Sequence, residues 1–238
     1  MQATWTIYPI LTCRLKLDKG TFTYRNFYGE KIMAPVYAWL VKGTADAFLV
    51  DAGCSVAEAS QLSHVFEGEE RSPIESSLQK MGISISDIET IVLTHMHIDH
   101  FANARKFPRA KVVVQEEELR FARDPHPVFS RSYNPVWYED LEFDTVEGDT
   151  EIFPGVDLIS TPGHSPGTQS VSIATDQGKV VIAGCCSVDD NFRDEGDIVP
   201  GIHSDIFKAY DSMVKIRSLG GTLIPPHTER YVNVDSIP

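Results

Sequence analysis

The feature that most constrains this chain is a short apolar run ending in a cluster of metal-ligand residues, IVLTHMHIDH at positions 91–100. Side chains alternate along a strand with a period of two, so His95 and His97 at a strand end can point to one side. The turn that follows can bring Asp99 and His100 to a second position nearby. Neutral imidazoles and carboxylates are the ligands expected for Zn²⁺ and similar divalent ions. The cluster therefore predicts a metal site at the end of a buried strand.

Two further histidines lie in turns that follow apolar segments. His164 lies within STPGHSPGTQS and His227 within LIPPHTER. Loops held by a rigid scaffold carry a large share of functional residues. Either histidine alone is more often a solvent-facing loop residue. Together with the cluster at 95–100, they predict additional ligands of the same site.

The composition sets limits on the partners of the chain. Its 238 residues carry 34 acidic and 21 basic side chains, a formal net charge of −13, which argues against a nucleic-acid partner. No apolar run reaches the roughly 18 residues that span a bilayer, and the N-terminus lacks a signal-peptide pattern. Four scattered cysteines do not form a disulfide framework. We therefore predict a cytoplasmic protein with a small-molecule substrate and no membrane partner.

The order of the predicted elements indicates one α/β domain over residues 1–238. Strand patterns come first in the chain, and both halves then place helices between strands. One helix is predicted over 73–82 and a second over 204–221, before a closing strand at 222–227. No linker or repeat divides the sequence. This order predicts two packed sheets with helices outside.

The chain resembles the metallo-β-lactamase-fold hydrolases, and within them it looks most like the N-acyl-homoserine lactonase branch. This resemblance implies a four-layer αβ/βα sandwich with the site at one edge, between two sheets. The motifs that carry it are FLVDAG at 48–53, THMHIDH at 94–100, TPGHSPG at 161–167, VIAG at 181–184 and PPH at 225–227.

The resemblance also implies two groups of metal ligands and an orienting carboxylate. Asp51, in VDAG, matches the family carboxylate that orients ligands without binding the metal. The expected cofactor is zinc, as one or two ions, with iron or manganese as alternatives. The implied ligands are His95, His97 and His164 for the first ion and Asp99, His100 and His227 for the second.

The chain departs from the family at the residue that follows VIAG. An aspartate bridges the two metals there in the family, and here the position is Cys185. A thiolate is also a metal ligand, so Cys185 is a predicted ligand. Alternatively, Cys185 stands aside and one ion is bound, or Asp189 or Asp190 takes its place. Cys186 is expected to lie in the core.

A second departure concerns a family tyrosine that polarises the substrate carbonyl, because that position is Val188 in this chain. This raises doubt about an acyl-homoserine lactone as the substrate. His203, Tyr133 or Tyr138 could supply a donor instead, although each is more often structural. Two aromatic side chains, Phe66 and Trp137, are candidate walls of the pocket.

The function predicted from these residues is hydrolysis by a metal-dependent enzyme. A metal lowers the pKa of bound water from near 16 to about 7, and the resulting hydroxide would attack the carbonyl of a lactone or related cyclic ester. Asp99 is the predicted catalytic residue, because it could bind metal and handle the proton of the leaving group. The alternatives are a cyclic amide hydrolase, a thioesterase of the glyoxalase II type and a non-catalytic metal-binding protein. A homodimer is one option for the oligomeric state.

Overall fold

Two β-sheets form the centre of the computed structural model, which describes residues 4–62, 64–185 and 187–238. Alternating apolar residues favour strands, and the first two strands form a long antiparallel hairpin. The strands of the described residues are β1 (Thr6–Asp18), β2 (Lys31–Lys42), β3 (Ala47–Val50), β4 (Glu67–Glu70), β5 (Thr90–Val92), β6 (Lys111–Gln115), β7 (Phe143–Val146), β8 (Thr150–Phe153), β9 (Val156–Ser160), β10 (Gln169–Thr175), β11 (Gly178–Ile182) and β12 (Thr222–Ile224).

The first sheet has the strand order β4-β1-β2-β3-β5-β6-β7, and the second has the order β12-β11-β10-β9-β8. In the first sheet, β3, β5, β6 and β7 are parallel neighbours. In the second sheet, β10 is antiparallel to both β9 and β11, and β12 is parallel to β11. Strands β9, β11 and β12 therefore run in one direction, and their carboxyl ends lie at the same edge.

Helices cover the outer faces of both sheets. The longest one, α5, begins after Asp205, whose carboxylate accepts hydrogen bonds from the N–H groups of Phe207 and Lys208. It ends before Gly220, whose φ of 67° suits glycine. The α-helices of the described residues are α1 (Val56–Ala59), α2 (Ile74–Lys80), α3 (Ile98–Phe101), α4 (Glu116–Arg123) and α5 (Ile206–Ser218).

Three apolar layers hold the sheets and helices together. The first sheet packs on α2, α3 and α4 through residues such as Leu15 and Leu78. The two sheets pack on each other through a second layer that includes Trp39 and Val171. The third layer joins the second sheet to α5 around Met213. The result is a four-layer αβ/βα sandwich, which confirms the predicted fold class.

Most predicted elements are present, but the sequence pattern missed two strands at the two ends of the first sheet. Strand β4 has the sequence EGEE, and Glu and Gly are depleted in strands. Among the described strands it pairs only with β1 and has no strand on its other side. Charged side chains at such an edge can stay in water. Strand β7 is the opposite edge strand and is likewise mostly exposed. None of the helices in the described residues has the length and apolar character that a membrane span requires.

Candidate metal centre

The predicted site residues follow the carboxyl ends of strands from both sheets. Asp51 comes directly after β3, and the cluster that begins at His95 follows β5. In the second sheet, His164 follows β9 and His227 follows β12. Because these strand ends meet at one edge of the sandwich, side chains far apart in sequence come together there.

The first group is a triangle of three imidazole nitrogens. His95 Nε2 lies 3.1 Å from His97 Nδ1 and 3.1 Å from His164 Nε2. The third side, from His164 Nε2 to His97 Nδ1, measures 3.2 Å. A tetrahedral centre with metal–nitrogen bonds of about 2.0–2.1 Å separates its ligands by about 3.3 Å. The triangle therefore has the size that a tetrahedral zinc ion requires.

Hydrogen bonds on the other side of the rings fix which nitrogens carry lone pairs. His164 Nδ1 lies 2.7 Å from the Ile202 carbonyl and can only donate to it, which leaves Nε2 without a proton. His95 Nδ1 lies 3.1 Å from Thr94 Oγ1, and this hydroxyl donates its own proton to Asp51. The Nε2 atoms of His95 and His164 therefore both carry a lone pair, and the two lone pairs face each other. A cation between them removes that repulsion, so the donor set fits a metal ion.

The second group lies beside the first. Asp99 Oδ2 is 3.6 Å from His100 Nε2 and 3.5 Å from His227 Nε2. Both histidines again donate through Nδ1, His100 to Asp51 Oδ2 at 2.7 Å and His227 to the Pro35 carbonyl at 2.8 Å. Their Nε2 atoms are therefore available as ligands. In the described residues, the two sets of groups able to hold a metal are these two.

Asp51 connects the two groups. Its Oδ1 accepts the Thr94 N–H at 2.7 Å, and its Oδ2 accepts the Thr94 hydroxyl at 2.9 Å and His100 Nδ1–H at 2.7 Å. The backbone of Asp51 has a φ of 54°, in the left-handed region that Asp and Asn tolerate better than most residues. This supports the predicted orienting role, because one carboxylate orients His100 directly and His95 through Thr94.

Burial sets the charge of the site. It holds the pKa of His95 and His97 well below the usual range and lowers the pKa of His164 to about 4. Burial alone would raise the pKa of Asp99, but the neighbouring His100 and His227 outweigh it and bring that pKa to about 2. The first group is therefore neutral and the second contains a charged carboxylate at pH 7. Metal binding requires these two states. On His100, burial works against charge but Asp99 and Asp51 raise the pKa, so a metal ion there would displace a proton.

We expect the metal-stripped protein to lose stability as the pH falls from 6.5 towards 4. The pKa of His164 in the folded chain, about 4, lies below its ordinary 6.5, so the unfolded chain binds more protons in that window. Unfolding then becomes easier by roughly 3 kcal/mol for this group alone. His95, His97 and His227 act in the same direction, because burial also lowers the pKa of each.

Two buried groups near the ligands, His100 and Glu118, oppose this trend. Burial works against charge on His100, but Asp99 and Asp51 raise its pKa, so its contribution to stability is present at acid pH and lost as the pH rises. Burial also raises the pKa of Glu118, which acts in the same direction as His100. We expect the four histidines with a lowered pKa to have the larger combined effect. Urea unfolding of chelator-treated protein at pH 7 and pH 4.5 measures the difference, and equal midpoints at the two pH values would contradict it.

A cavity opens onto both ligand groups, with His95, His164 and His227 in its wall. The rest of the wall is largely apolar. One polar side chain that the sequence interpretation did not select, His64, also lines it, and burial lowers its pKa. The apolar side chains of the wall are Leu15, Leu17, Phe22, Leu62, Val65, Ile202 and Pro226.

Cys185 lies in neither ligand group of the described residues. Its side chain is fully buried in the apolar layer between the second sheet and α5, while Gly184 and Ser187 line the cavity. Its role as a ligand stays a prediction. The two acidic alternatives lie outside both groups, because Asp189 pairs with Arg230 and Asp190 with Lys19. The prediction for Cys186 lies outside the described residues.

The side chains considered as carbonyl donors are engaged elsewhere. Tyr133 OH donates to Glu118, and Tyr138 OH donates to the Ala122 carbonyl. His203 Nδ1 donates to the Pro200 carbonyl. None of these three, nor Val188, is among the described residues of the cavity wall.

The prediction of two aromatic pocket walls is wrong. Phe66 is 57% exposed, and its ring packs under the Lys31 ammonium. Trp137 is buried in the layer between the first sheet and its helices. Sequence cannot distinguish an aromatic side chain that packs in a core from one that lines a cavity, because both positions favour the same residue type.

Besides His64 in the cavity wall, two residues that hold the ligands in place were missed by sequence reasoning. Thr94 was part of the quoted motif but carries no ligand chemistry of its own. Glu118, in the first turn of α4, is completely buried and binds the backbone beside the ligands. A helical spacing of four places it on the same face as the buried Ala122, which was the available signal.

The fold and the geometry define a class of protein, the αβ/βα sandwiches with a candidate two-ion metal centre at one edge. Residues 33–228 match the family described as the Metallo-beta-lactamase superfamily, and the chain belongs to this superfamily. It is 27% identical over 226 residues to an N-acyl homoserine lactonase of Bacillus cereus, covering 90% of this chain and 85% of that one. It is 30% identical over 201 residues to an N-acyl homoserine lactonase of Bacillus thuringiensis, covering 79% of each.

Solved structures are similar over nearly the whole chain. A mutant of B. thuringiensis AiiA with N-decanoyl-L-homoserine bound at its active site superposes with a TM-score of 0.82 at 26% identity, covering 96% of this chain and 95% of that one. An N-acyl homoserine lactone hydrolase with the product N-hexanoyl-L-homoserine at its catalytic metal centre gives the same values. The predicted resemblance is therefore confirmed.

Proposed function

We propose that this chain is a metal-dependent hydrolase that opens a lactone to the hydroxy acid, with zinc as the metal and an N-acyl homoserine lactone as the first candidate substrate. The observation that carries the proposal is the convergence of the two ligand groups on one cavity. The lactonase relatives, at 27–30% identity, support the choice of substrate class.

Different residues of the site would have different roles in such a reaction. Bound metal supplies Lewis acidity and lowers the pKa of water. His95, His97 and His164 hold the first position, and their low pKa values keep them neutral. Asp99 stays charged because its pKa is about 2, so it serves as a ligand and accepts a hydrogen bond from attacking water. The oxygen that accepts this hydrogen bond can take the proton that the attacking water gives up and pass it to the leaving alkoxide.

The rest of the cavity suits a substrate with an apolar tail. The apolar wall comes from β1 through Leu15 and Leu17 and from the segment around Leu62 and Val65. Burying a methylene group against such a wall contributes about 0.8 kcal/mol. A lactone with an acyl chain can therefore place its ring at the ligand groups and its chain against this wall.

Hydrolysis assays on the zinc-loaded protein test the proposal. The panel contains N-hexanoyl and N-decanoyl homoserine lactone, γ-butyrolactone, a glutathione thioester and a cyclic amide. Acid release from the lactones and the thioester is followed by pH-stat, and opening of the cyclic amide, which releases no net acid, is followed by chromatography. We expect turnover of the lactones, with the longer acyl chain giving the lower KM. Metal analysis of the same sample fixes the number of ions per chain.

The other outcomes of the panel separate the alternatives. Preferential turnover of the thioester would replace the proposal with a thioesterase of the glyoxalase II type, and turnover of the cyclic amide with an amide hydrolase. A protein with two bound ions that hydrolyses none of these substrates would be a non-catalytic metal-binding protein. The proposal fails in each of these cases.

Two parts of the proposal concern the setting of the enzyme. We propose a cytoplasmic location and a homodimer, both of which rest on the sequence interpretation. Fractionation of cells that express the full-length protein tests the first, and sedimentation of the purified protein tests the second. A monomer at all concentrations would remove the homodimer from the proposal.

We expect the variant His64→Phe to bind polar substrates less well. The His64 imidazole lines the cavity, and no hydrogen bond joins it to any described residue, so it is free to bind a polar group of the substrate. Loss of one such bond costs about 1 kcal/mol, which raises KM about fivefold for an N-acyl homoserine lactone. Steady-state kinetics measure this, with the exposed His126 changed to Phe as the matched control. An unchanged KM in His64→Phe would contradict it.

A further inference from the structure

Glu118 has an environment unlike that of its neighbours in α4. Glu117 pairs with Arg120 on the exposed side of the helix, whereas the Glu118 side chain is completely buried. A buried carboxylate is costly unless donors surround it. Four donors do so here, the N–H groups of Met96 and Gly167 and the hydroxyls of Tyr133 and Ser165.

Each oxygen of this carboxylate holds a different segment of the site. Oε1 accepts the Met96 N–H at 2.8 Å, and Met96 lies between the ligands His95 and His97. Oε2 accepts the hydroxyl of Ser165 at 2.5 Å and the Gly167 N–H at 3.0 Å, in the turn directly after His164. One side chain thus connects the two segments that supply the three-histidine group.

The turn also fits closely against the helix. A Cβ atom on Gly167 would lie 2.1 Å from the backbone nitrogen of Glu118, so the glycine allows the turn to contact α4 directly. A change of a few tenths of an ångström at the carboxylate would therefore move His164 relative to His95. Such a shift would change the spacing of three nitrogens that now lie 3.1–3.2 Å apart, and with it the fit of a metal ion between them.

We propose that Glu118 is a positioning residue for the three-histidine group, setting the affinity of this group for metal much more strongly than that of the group of Asp99, His100 and His227. The inference rests on the metal binding that the proposed function requires. A contact of this kind with the residues around a ligand typically changes metal affinity by about 10- to 100-fold.

The variant Glu118→Gln tests this role with little change in shape. A glutamine keeps one oxygen, but its amide nitrogen must face either the Met96 N–H or the Gly167 N–H, so donor meets donor on one side. The fold keeps a second link between these segments, because the Gln169 N–H donates to the Thr94 carbonyl at 2.8 Å. The variant is therefore expected to fold, which circular dichroism checks.

The two ligand groups are separated by placing the change in two backgrounds. His227→Ala leaves the three-histidine group, and His164→Ala leaves the other. Titration with Zn²⁺ against a chromophoric chelator should show Glu118→Gln weakening binding about 10- to 100-fold in the first background and less than about threefold in the second. Glu117→Gln is the matched control and should change neither. Tyr133→Phe, which removes one of four donors, should have a smaller effect than Glu118→Gln.

Each other result has a definite meaning. Equal weakening in both backgrounds, or none in either, would overturn the positioning role. A wild-type protein that does not bind Zn²⁺ would overturn both this inference and the proposed function. A wild-type protein that binds Zn²⁺ but opens no lactone would overturn the proposed function alone, because the titration does not depend on turnover.

Discussion

Replacing His97 by alanine is expected to lower kcat/KM for lactone hydrolysis by at least about 1000-fold, because it opens the first ligand group and removes the means of activating water at neutral pH. His97 supplies Nδ1 to a triangle whose other members are the Nε2 atoms of His95 and His164. Two imidazoles alone hold zinc far less firmly than three. Steady-state kinetics with metal analysis of the same sample measure both effects.

The matched control is His126→Ala, which removes an exposed histidine outside both ligand groups. It should keep the metal content and the activity of the wild type. If His97→Ala retained both the full metal content and more than a tenth of the activity, the three-histidine group would not be the reaction centre.

Replacing Asp51 by asparagine is expected to lower metal affinity and activity by about 10- to 100-fold, the usual effect of removing the partner that orients a ligand. Asparagine accepts the left-handed backbone that Asp51 adopts at φ 54°, so the turn itself is preserved. Its amide nitrogen, however, must face a donor on Thr94 or on His100. Either placement disturbs one of the hydrogen bonds that orient His100 directly or His95 through Thr94.

Asp46→Asn provides the control, because Asp46 is an exposed residue in the turn between β2 and β3. Its Zn²⁺ affinity and kcat should equal those of the wild type. Unchanged Zn²⁺ affinity in Asp51→Asn would show that the neighbouring hydrogen bonds hold His100 without the carboxylate.

The candidate metal centre was the part of this molecule whose residues were easiest to select from the sequence. His95, His97, Asp99 and His100 are dense in the sequence, and their side chains have chemistry that few other roles explain. Spacing along a strand end predicts that they converge. His164 and His227 were predicted as ligands only because the cluster at 95–100 had already indicated a metal site.

Positions whose role depends on tertiary contacts were not predictable. Three consecutive glutamates begin α4, and only the folded chain distinguishes Glu118, which meets the turn after His164, from its exposed neighbours. For Cys185, the sequence left three outcomes open, since a cysteine can be either a small buried side chain or a thiolate ligand. The structure buries it against α5, in the turn that follows β11 and outside the apolar layer between the two sheets.

Each ligand group draws on both sheets, and this makes a bound ion a cross-link as well as a reagent. His95 and His164 are 69 positions apart in sequence, and each follows a strand of a different sheet. An ion held between them favours the closed sandwich by about 2.7 kcal/mol when free metal is at 100 times its dissociation constant. When metal becomes scarce, the two sheets lose this metal-mediated contact at the edge of the sandwich. The metal supply around the protein would then govern how long a folded copy survives proteolysis, independently of any substrate.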